Sequence, residues 1–292
     1  MTASPVIRLT DYEHAERFPA TVLSSTRLTP EAAPDEVREI GLEIDRAEFP
    51  CRVGQSIGVF APAPPGLGKA HHFRLYSIAD IPGRSPAGRP AITICVRRCT
   101  GIDPYSGEAY PGVASHYLCD RRPGDVITVS GPFGIPFEIP EEHDATLILI
   151  GSGTGIAPFR ALVRHIYQDI PDWTGDIWLF YGARSGLELL YMNDERDDFA
   201  QYYDRETFRA FTALSRRPNW ADPIRWDGAI EERGAELWQR LGDPKTHVFV
   251  AGLEPMRAAL DEVFARIAGS QEKWRRRKAE LMAGGRWVEL VY

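Results

Sequence analysis

The stretch that decides the fold of the second half of the chain is Leu147-Ile148-Leu149-Ile150-Gly151-Ser152-Gly153-Thr154-Gly155-Ile156-Ala157-Pro158-Phe159-Arg160. Its leading apolar residues are typical of a buried strand, and Pro158 suits the first turn of a helix. Three glycines at alternate positions would let a ligand approach the backbone between these two elements. Because a helix N-terminus offers free N–H groups to an anion, the turn is a candidate phosphate site.

This turn departs from the dinucleotide fingerprint Gly-x-Gly-x-x-Gly in two ways. Counted from Gly151, the third glycine would fall at Ile156. The following strand ends in Tyr181-Gly182-Ala183-Arg184, where an acidic residue is expected for the ribose. Two interpretations remain open, a dinucleotide site of another type and an ordinary tight turn between a strand and a helix.

Length and composition set the class of protein. The 292 residues are enough for one large or two ordinary domains, and the net charge of −7 argues against nucleic acid as the main partner. No apolar run is long enough to span a membrane, and the N-terminus lacks the pattern of a secretion signal. The four cysteines form no Cys-x-x-Cys pair and the histidines show no zinc spacing, so we expect free thiols, a reducing cytoplasm and no metal site. A redox role would therefore need an organic cofactor.

The first half of the chain predicts an antiparallel barrel. Residues 1–17 are polar and are expected to form a flexible segment. From residue 18 to residue 141, short strands separated by turns, with a single helix at Val113–Cys119, are typical of a six-stranded β-barrel domain. The predicted strands are Ala20–Ser25, Val37–Ile44, Ser56–Ala61, Phe73–Ile78, Ala91–Arg98 and Val126–Val129.

The second half predicts an α/β domain over residues 142–292, after a linker rich in proline and acidic residues at 132–144. Strands and helices alternate here, which indicates a five-stranded parallel sheet with helices on both faces. Ligands of such sheets bind at the carboxyl ends of the strands. The predicted strands are 146–150, 177–182, 208–214, 246–251 and 287–292, and the predicted helices are 158–169, 188–200, 230–240, 254–268 and 273–283.

Four short motifs have both a functional and an ordinary interpretation. Arg74 and Tyr76 share one strand face and suit a flavin nucleotide, but a surface arginine on an exposed strand is equally simple. Gly112-Val113-Ala114-Ser115 opens a helix and is either a second phosphate contact or a plain helix start. Ser215-Arg216-Arg217 suits a 2′-phosphate or is a solvated turn. Tyr292, the last residue, would cover a flavin ring or pack on its own domain.

These motifs belong to a longer series that occurs in a fixed order along the chain. The series is Arg74-Leu75-Tyr76-Ser77-Ile78-Ala79, Cys95-Val96-Arg97-Arg98, Gly112-Val113-x-Ser115, Leu118-Cys119-Asp120, the stretch from Gly153 to Arg160, Ser215-Arg216 and Val291-Tyr292. From about Phe18 to Tyr292, the series resembles plant-type ferredoxin–NADP(+) reductase. The resemblance implies a barrel that binds FAD followed by an α/β domain that binds NADP(H).

The resemblance also implies roles for individual residues. Tyr292 would stack on the isoalloxazine until nicotinamide displaces it, Ser77 would lie near the hydride path, and Glu289 would be a candidate proton partner of Ser77. These three are the expected catalytic residues. The expected cofactor contacts are Arg74, Leu75, Tyr76, Ser77, Cys95, Val96, Arg97, Gly112, Val113, Ala114, Ser115, Thr154, Ala183, Arg184, Ser215, Arg216, Gly252, Leu253 and Tyr292.

Three positions depart from the family pattern. Ala251 replaces a common cysteine next to the nicotinamide. Leu290 stands where the family has its C-terminal glutamate, and Glu289 is one residue earlier. The lysine and tyrosine that usually follow Ser-Arg are missing, and Arg225 or Trp226 would take their place.

The resemblance therefore implies an FAD-dependent reductase that exchanges hydride with NADP(H) and single electrons with ferredoxin or flavodoxin. The basic run Lys273–Lys278 would dock such an acidic carrier, although a solvated helix face would explain it as well. Two alternatives are the reductase component of a multicomponent oxygenase and a flavin or nucleotide sensor without turnover.

Overall fold

The computed structural model describes residues 12–66, 68–102, 107–134, 137–217 and 222–292. The described chain forms two compact units. The first consists of the residues before Thr29 and those from Asp35 to residue 135, and the second of Thr29–Pro34 and the residues from 136 to Tyr292. Most of the predicted flexible segment lies outside the described residues, but Tyr12 packs on Phe133 with ring centroids 4.6 Å apart.

The first unit is built on one antiparallel sheet of seven strands, in the order β4-β3-β9-β1-β2-β6-β5. All six predicted strands are present, and an antiparallel bridge between Ile78 and Ile94 joins the β4 edge to β6, so the six long strands close into a barrel. The seventh strand, β5, has only two residues, too few for an alternating pattern to reveal. The strands are β1 (Arg17–Arg27), β2 (Val37–Ile44), β3 (Ser56–Pro62), β4 (His71–Ser77), β5 (Gly83–Arg84), β6 (Pro90–Arg97) and β9 (Val126–Phe133).

Alternation of apolar residues explains the barrel. In β1, Phe18, Ala20 and Val22 point into the core while their neighbours face outward. The side-chain alternation shifts at a bulge between Val22 and Ser24. Helix α1 (Val113–Cys119) buries Leu118 and Cys119 in the same core. A small hairpin of β7 (Thr100–Ile102) and β8 (Ala109–Pro111) follows β6, and residues 103–106 between its strands are outside the described part.

The second unit contains the predicted five-stranded parallel sheet. Its strands are β10 (Thr146–Ser152), β11 (Ile177–Ala183), β14 (Phe208–Leu214), β15 (Thr246–Gly252) and β16 (Trp287–Val291), and its helices are α2 (Ile156–Asp169), α3 (Gly234–Arg240), α4 (Pro255–Ala268) and α5 (Gln271–Ala283).

The strands lie in the order β14-β11-β10-β15-β16. Every residue of β11 is buried, as expected for a strand covered on both faces. Helices α3, α4 and α5 cover one face and share a core with the strand residues Val248 and Trp178. On the other face, Phe159 of α2 contacts Phe137, which contacts Phe249.

The helix predicted at 188–200 is wrong. The segment forms a short hairpin of β12 (Met192–Asn193) and β13 (Arg196–Asp197). The Asn193 side chain accepts the N–H groups of Glu195 and Arg196, both at 3.0 Å, which closes a turn that competes with a helix.

Three other helices differ from prediction at their starts. The segment predicted at 230–240 is a π-helical turn, Asp227–Glu231, followed by α3. Helix α2 begins at Ile156, two residues earlier than predicted. Helix α5 begins at Gln271 because Ser270 caps it, accepting the N–H of Lys273 at 3.2 Å.

Candidate functional site

The glycine turn after β10 is shaped by close backbone contact with the end of β15. A Cβ atom on Gly155 would lie 2.1 Å from the carbonyl oxygen of Ala251, so no other residue fits there. Gly252 adopts φ +145°, and a Cβ atom on it would lie 2.3 Å from Ser152 Oγ. Gly153 adopts φ +54° and faces open space, which leaves its backbone accessible to a ligand.

A buried tyrosine that the sequence did not single out holds this turn. The Tyr181 hydroxyl donates to the carbonyl of Gly153 at 3.0 Å and accepts the N–H of Leu190 at 3.1 Å. Tyr181 is the last aromatic residue of β11, one position before Gly182. In sequence it is simply an apolar strand residue, and only the sheet register brings its hydroxyl beneath the turn.

The C-terminal residue lies against the same turn. The Tyr292 N–H donates to the carbonyl oxygen of Gly252 at 3.0 Å, and the main-chain oxygen of Tyr292 accepts the N–H of Glu254 at 3.1 Å. The Tyr292 hydroxyl is hydrogen-bonded to Thr154 Oγ1. Three predicted site residues, Thr154, Gly252 and Tyr292, therefore meet at one end of the sheet, and Tyr292 remains 59% exposed. Leu253, also predicted, is placed there by its N–H donating to Ser152 Oγ at 3.3 Å.

Glu289 is engaged within its own unit. Its carboxylate accepts hydrogen bonds from Lys278 Nζ at 2.7 Å, Arg257 Nε at 2.8 Å and Trp287 Nε1 at 2.6 Å. Burial by itself would raise the pKa of Glu289, but the hydrogen bonds from Lys278 and Trp287 and the charge of Lys278 outweigh it and lower the pKa. The carboxylate is therefore ionised and held by three donors. Its role as a proton partner stays a prediction.

The segment after β14 carries two of the expected cofactor contacts, Ser215 and Arg216, in the motif that suits a 2′-phosphate. Ser215 Oγ is buried without a hydrogen-bond partner among the described residues. Arg216 is exposed, and the described part of the chain gives it no ion pair. By contrast, Arg217 pairs with Asp222 through two contacts, at 2.9 and 3.2 Å.

Of the two residues considered as substitutes near this segment, only Arg225 is available. Trp226 is 2% exposed and belongs to the core, with its ring against the backbone of Gly182, so it cannot offer a face to a base. Arg225 lines a cavity of about 420 Å³ beside β14, together with Arg233. It pairs with Asp227 at 3.4 Å.

At the end of β11, Ala183 is buried and Arg184 is ion-paired. The Arg184 guanidinium contacts Glu188 at 2.7 Å, and the Arg184 N–H donates to the same carboxylate at 3.2 Å. Arg184 thus lies at a strand end of the same sheet, with its charge partly balanced by Glu188.

In the first unit, β4 carries the predicted flavin contacts. Arg74 is exposed and Leu75, Tyr76 and Ser77 are partly buried. Arg74 Nη1 donates to the carbonyl of Phe73 at 3.1 Å. Tyr76 packs against the barrel core, and its burial raises the pKa well above that of an exposed tyrosine, so the phenol stays neutral.

The remaining predicted contacts of this unit lie on β6 and at the start of α1. Cys95 and Val96 are buried, and Arg97 pairs with Asp35 at 3.3 Å. The α1 start is tightly built, because a Cβ atom on Gly112 would lie 2.8 Å from Ser115 Oγ and 2.9 Å from the Cys99 carbonyl oxygen. Val113 and Ala114 follow as the first two helical residues.

Two relatives settle the family. A ferredoxin–NADP reductase from a Spirulina species is 31% identical over 287 residues, covering 96% of this chain and 97% of that protein. A root-type chloroplastic ferredoxin–NADP reductase from Nicotiana tabacum is 35% identical over 295 residues, covering 96% of this chain and 77% of the relative. This chain belongs to the ferredoxin–NADP reductase family.

Two further comparisons concern the α/β domain and the fold. The model of the oxidoreductase NAD-binding domain matches residues 149–262. Ferredoxin-NADP+ reductase from Plasmodium falciparum has the same fold, with a TM-score of 0.68 at 17% identity, covering 94% of this chain and 96% of that one. The same Plasmodium falciparum reductase solved with 2′P-AMP also gives a TM-score of 0.68 at 17% identity, and the match covers 98% of both chains.

The basic run expected to dock a carrier is largely committed to contacts within the reductase. Trp274 is buried in the core, and Lys278 lies between Asp261 and Glu289. Arg276 and Arg277 both pair with Glu280, at 3.0 and 3.6 Å. Within the described chain, only Lys273 and Arg275 of this run are exposed without an ion pair, so the predicted patch is smaller than the sequence suggests.

Neither a metal site nor a membrane helix is found in the described parts of this reductase. Those residues contain no group of three or more His, Cys, Asp or Glu side chains placed to hold a metal ion. The described helices include none that is long and apolar enough to cross a membrane.

Two of the cysteine thiols are unreactive. Burial raises the pKa of Cys51 and Cys119 to about 12, so both thiols stay protonated near neutral pH.

Proposed function

We propose that the protein is an FAD-dependent ferredoxin–NADP(+) reductase that exchanges hydride with NADP(H) and single electrons with ferredoxin. The observation that carries the proposal is the meeting of Thr154, Gly252 and Tyr292 at one end of the parallel sheet. In a chain that belongs to this family, that arrangement combines a backbone-lined turn with an exposed aromatic ring.

The residues of β4 and α1 suit a flavin nucleotide. Arg74 supplies an exposed guanidinium, which pairs well with a pyrophosphate, and Tyr76 supplies a neutral aromatic ring on the same strand. Leu75, Ser77, Cys95, Val96 and the segment 112–115 would complete the contacts. Ser77 would lie near the hydride path.

The second unit suits a nicotinamide dinucleotide phosphate. The open backbone at Gly153 fits the close approach of a phosphate. At the adenosine end, the exposed charge of Arg216 and the unpartnered hydroxyl of Ser215 match the donors that a 2′-phosphate needs. Arg225, next to the cavity beside β14, adds a third donor, and Ala183 and Arg184 would line the same groove.

When bound, the flavin supplies the chemistry, since it takes up two electrons as hydride and releases them singly. The chain's own residues bind, orient and shield. Tyr292 is proposed to cover the reactive ring until nicotinamide arrives. Arg97, which pairs with Asp35, keeps positive charge where the family has a lysine that reaches the nucleotide.

One set of anaerobic measurements on the purified protein tests this function. We expect it to release FAD on denaturation, to be reduced by NADPH within seconds and to be reduced more slowly by NADH. Reduced protein should then pass electrons to ferredoxin. Efficient transfer only to flavodoxin or to an oxygenase component would reassign the partner, and flavin binding without reduction by NADPH would indicate a sensor. A protein that binds no flavin would refute the proposal.

The acceptor is proposed to dock near Lys273 and Arg275 of α5. The protein carries a net charge of −7, so an acidic carrier needs a local positive patch. Arg275→Glu is expected to slow ferredoxin reduction a few-fold at low salt and to leave ferricyanide reduction unchanged. Arg275→Lys is the matched control, because it changes the side chain at the same position and keeps the positive charge. Equal losses with ferredoxin and ferricyanide would contradict docking at this helix.

The compartment is proposed to be the cytoplasm. The four cysteines, Cys51, Cys95, Cys99 and Cys119, are all free thiols, which suits a reducing environment. The relatives from plants are named as chloroplastic, so the location of tagged protein in its own cells is the measurement that decides.

A further inference from the structure

We propose that Lys278, Glu289 and Arg257 form a positioning network that fixes β16 up to Val291, so that Tyr292 moves by rotation of its own side chain. This inference rests on the proposed function, in which Tyr292 covers the flavin. It gives Glu289 a positioning role in place of proton transfer. It also explains why Lys278 is unavailable for docking a carrier.

The first part of the network joins three elements. Lys278 on α5 lies between Asp261 of α4 at 2.9 Å and Glu289 of β16 at 2.7 Å. The side chains of Lys278 and Glu289 are only 14% and 12% exposed. Two indole N–H groups support the acids, Trp274 donating to Asp261 at 2.8 Å and Trp287 to Glu289 at 2.6 Å. A pair this buried and this well hydrogen-bonded is costly to break from one side.

The second part leads from Glu289 to the last residue. Arg257 Nε donates to Glu289 at 2.8 Å, and Arg257 Nη1 donates to Glu254 at 2.6 Å. The N–H of Glu254 in turn donates to the main-chain oxygen of Tyr292 at 3.1 Å. A continuous chain of polar contacts therefore connects the buried Lys278 to the backbone of Tyr292.

The sheet restrains the backbone of β16 only as far as Val291. The register of β16 on β15 runs from Trp287 to Val291, which lies opposite Gly252. Beyond it, Tyr292 is held through its backbone, while its ring is 59% exposed and its hydroxyl bonds to Thr154. A ring on a fixed backbone can swing aside about its own side-chain torsions without peeling the strand from the sheet.

This role and the proton-partner role predict different behaviour. If Glu289 moves a proton, Glu289→Gln alters the pH profile of kcat. Lys278→Met then changes this pH profile to a smaller extent or gives it a different shape. If Glu289 positions β16, both variants share one phenotype, because both break the contact between Lys278 and Glu289 that joins α5 to β16. The double variant is then no worse than either single variant, as residues of one network are not additive.

The experiment measures hydrogen exchange of the peptide covering 286–292 together with steady-state kinetics, on the purified holoprotein. The variants are Lys278→Met, Glu289→Gln and the double variant. The matched control is Arg276→Met, which removes a positive charge from the same helix. Arg276 pairs with Glu280 and takes no part in the contact between Lys278 and Glu289. We expect each single variant to lose about tenfold in exchange protection in this peptide. The control should match the wild type.

The kinetic outcome separates the inference from the proposed function. Wild-type protein that neither binds FAD nor oxidises NADPH defeats the proposed function. With active wild type, we expect both variants to change the KM for NADPH and kcat to a similar degree, with an unchanged pH profile. Unaltered exchange in 286–292, or a pH profile that shifts in Glu289→Gln alone, would overturn the positioning role.

Discussion

The glycine turn at 151–155 and the strand end at 289–292 lie at the same end of the sheet but are built in opposite ways. The turn depends on glycine, which has no side chain, since the backbone of Gly155 packs directly on the carbonyl of Ala251. The strand end depends on charged side chains, with Glu289 held by Lys278 and Arg257. The proposed function needs both designs, since the turn would admit a nucleotide to its backbone and the strand end would hold the Tyr292 ring over the flavin until the nicotinamide arrives.

The largest effect is expected when a side chain is added to the turn. In Gly155→Ala, the new Cβ atom would meet the Ala251 carbonyl oxygen at 2.1 Å, and rigid backbone on both sides leaves little room to adjust. We expect a loss of about 1–3 kcal/mol in the free energy of unfolding, from overpacking. NADP+ affinity, measured by titration, should fall as well.

Gly186→Ala is the control for this variant. A Cβ atom on Gly186 has nothing within 4 Å, and the residue begins a short turn. Its unfolding free energy and its NADP+ affinity should stay near the wild-type values. Equal stability of Gly155→Ala and Gly186→Ala would show that the turn does not depend on close backbone packing.

A smaller effect is expected from pH at the strand end. Because the folded state lowers the pKa of Glu289, its ionised carboxylate stabilises the fold above the ordinary glutamate pKa of about 4.3. That contribution is lost as the pH falls below this value and through the folded pKa. Since hydrogen bonds to charged groups contribute about 1.5–3 kcal/mol each, Glu289→Gln should cost about 1.5 kcal/mol at pH 7.

Chemical unfolding at pH 7 and at pH 3.5 measures this difference. The difference in unfolding free energy between wild type and Glu289→Gln should be full at pH 7. It should narrow at pH 3.5, which lies below the ordinary glutamate pKa, because there the unfolded wild-type chain takes up a proton at Glu289. Arg276→Met again serves as the control, with little effect at either pH. If the difference in unfolding free energy between wild type and Glu289→Gln stays constant from pH 7 to pH 3.5, the charge of Glu289 adds no stability.

The two regions also differ in how far the sequence predicts them. The turn, the sheet and the barrel follow from patterns that are local in the chain, namely glycines at fixed spacing and apolar residues at the period of a strand. The helix expected at 188–200 fails for a local reason too, because the Asn193 side chain closes a turn within an otherwise helical pattern.

The ion-pair network could not be predicted in the same way. Arg257 and Glu289 are 32 positions apart, and nothing in the sequence indicates that Lys278 belongs with Glu289 and not with the surface run around it. Similarly, Arg225 and Trp226 are adjacent in sequence, yet one lines a cavity and the other is buried in the core. Such choices depend on how the helices pack on the sheet, which residue types alone do not determine.

The smallest effect is expected at the hydroxyl pair that joins the two regions, Thr154 with Tyr292. In the proposed function this bond must break before nicotinamide can enter, so it favours the covered state. Removing it with Thr154→Val or Tyr292→Phe should make NADP+ bind more tightly, by about threefold, since a neutral hydrogen bond contributes about 0.5–1.5 kcal/mol. Spectral titration with NADP+ measures this. Because each variant removes the same bond, the double variant should bind no more tightly than either single one. Weaker binding in Thr154→Val would instead indicate that the threonine hydroxyl contacts the nucleotide itself, and the turn and the strand end would then act independently.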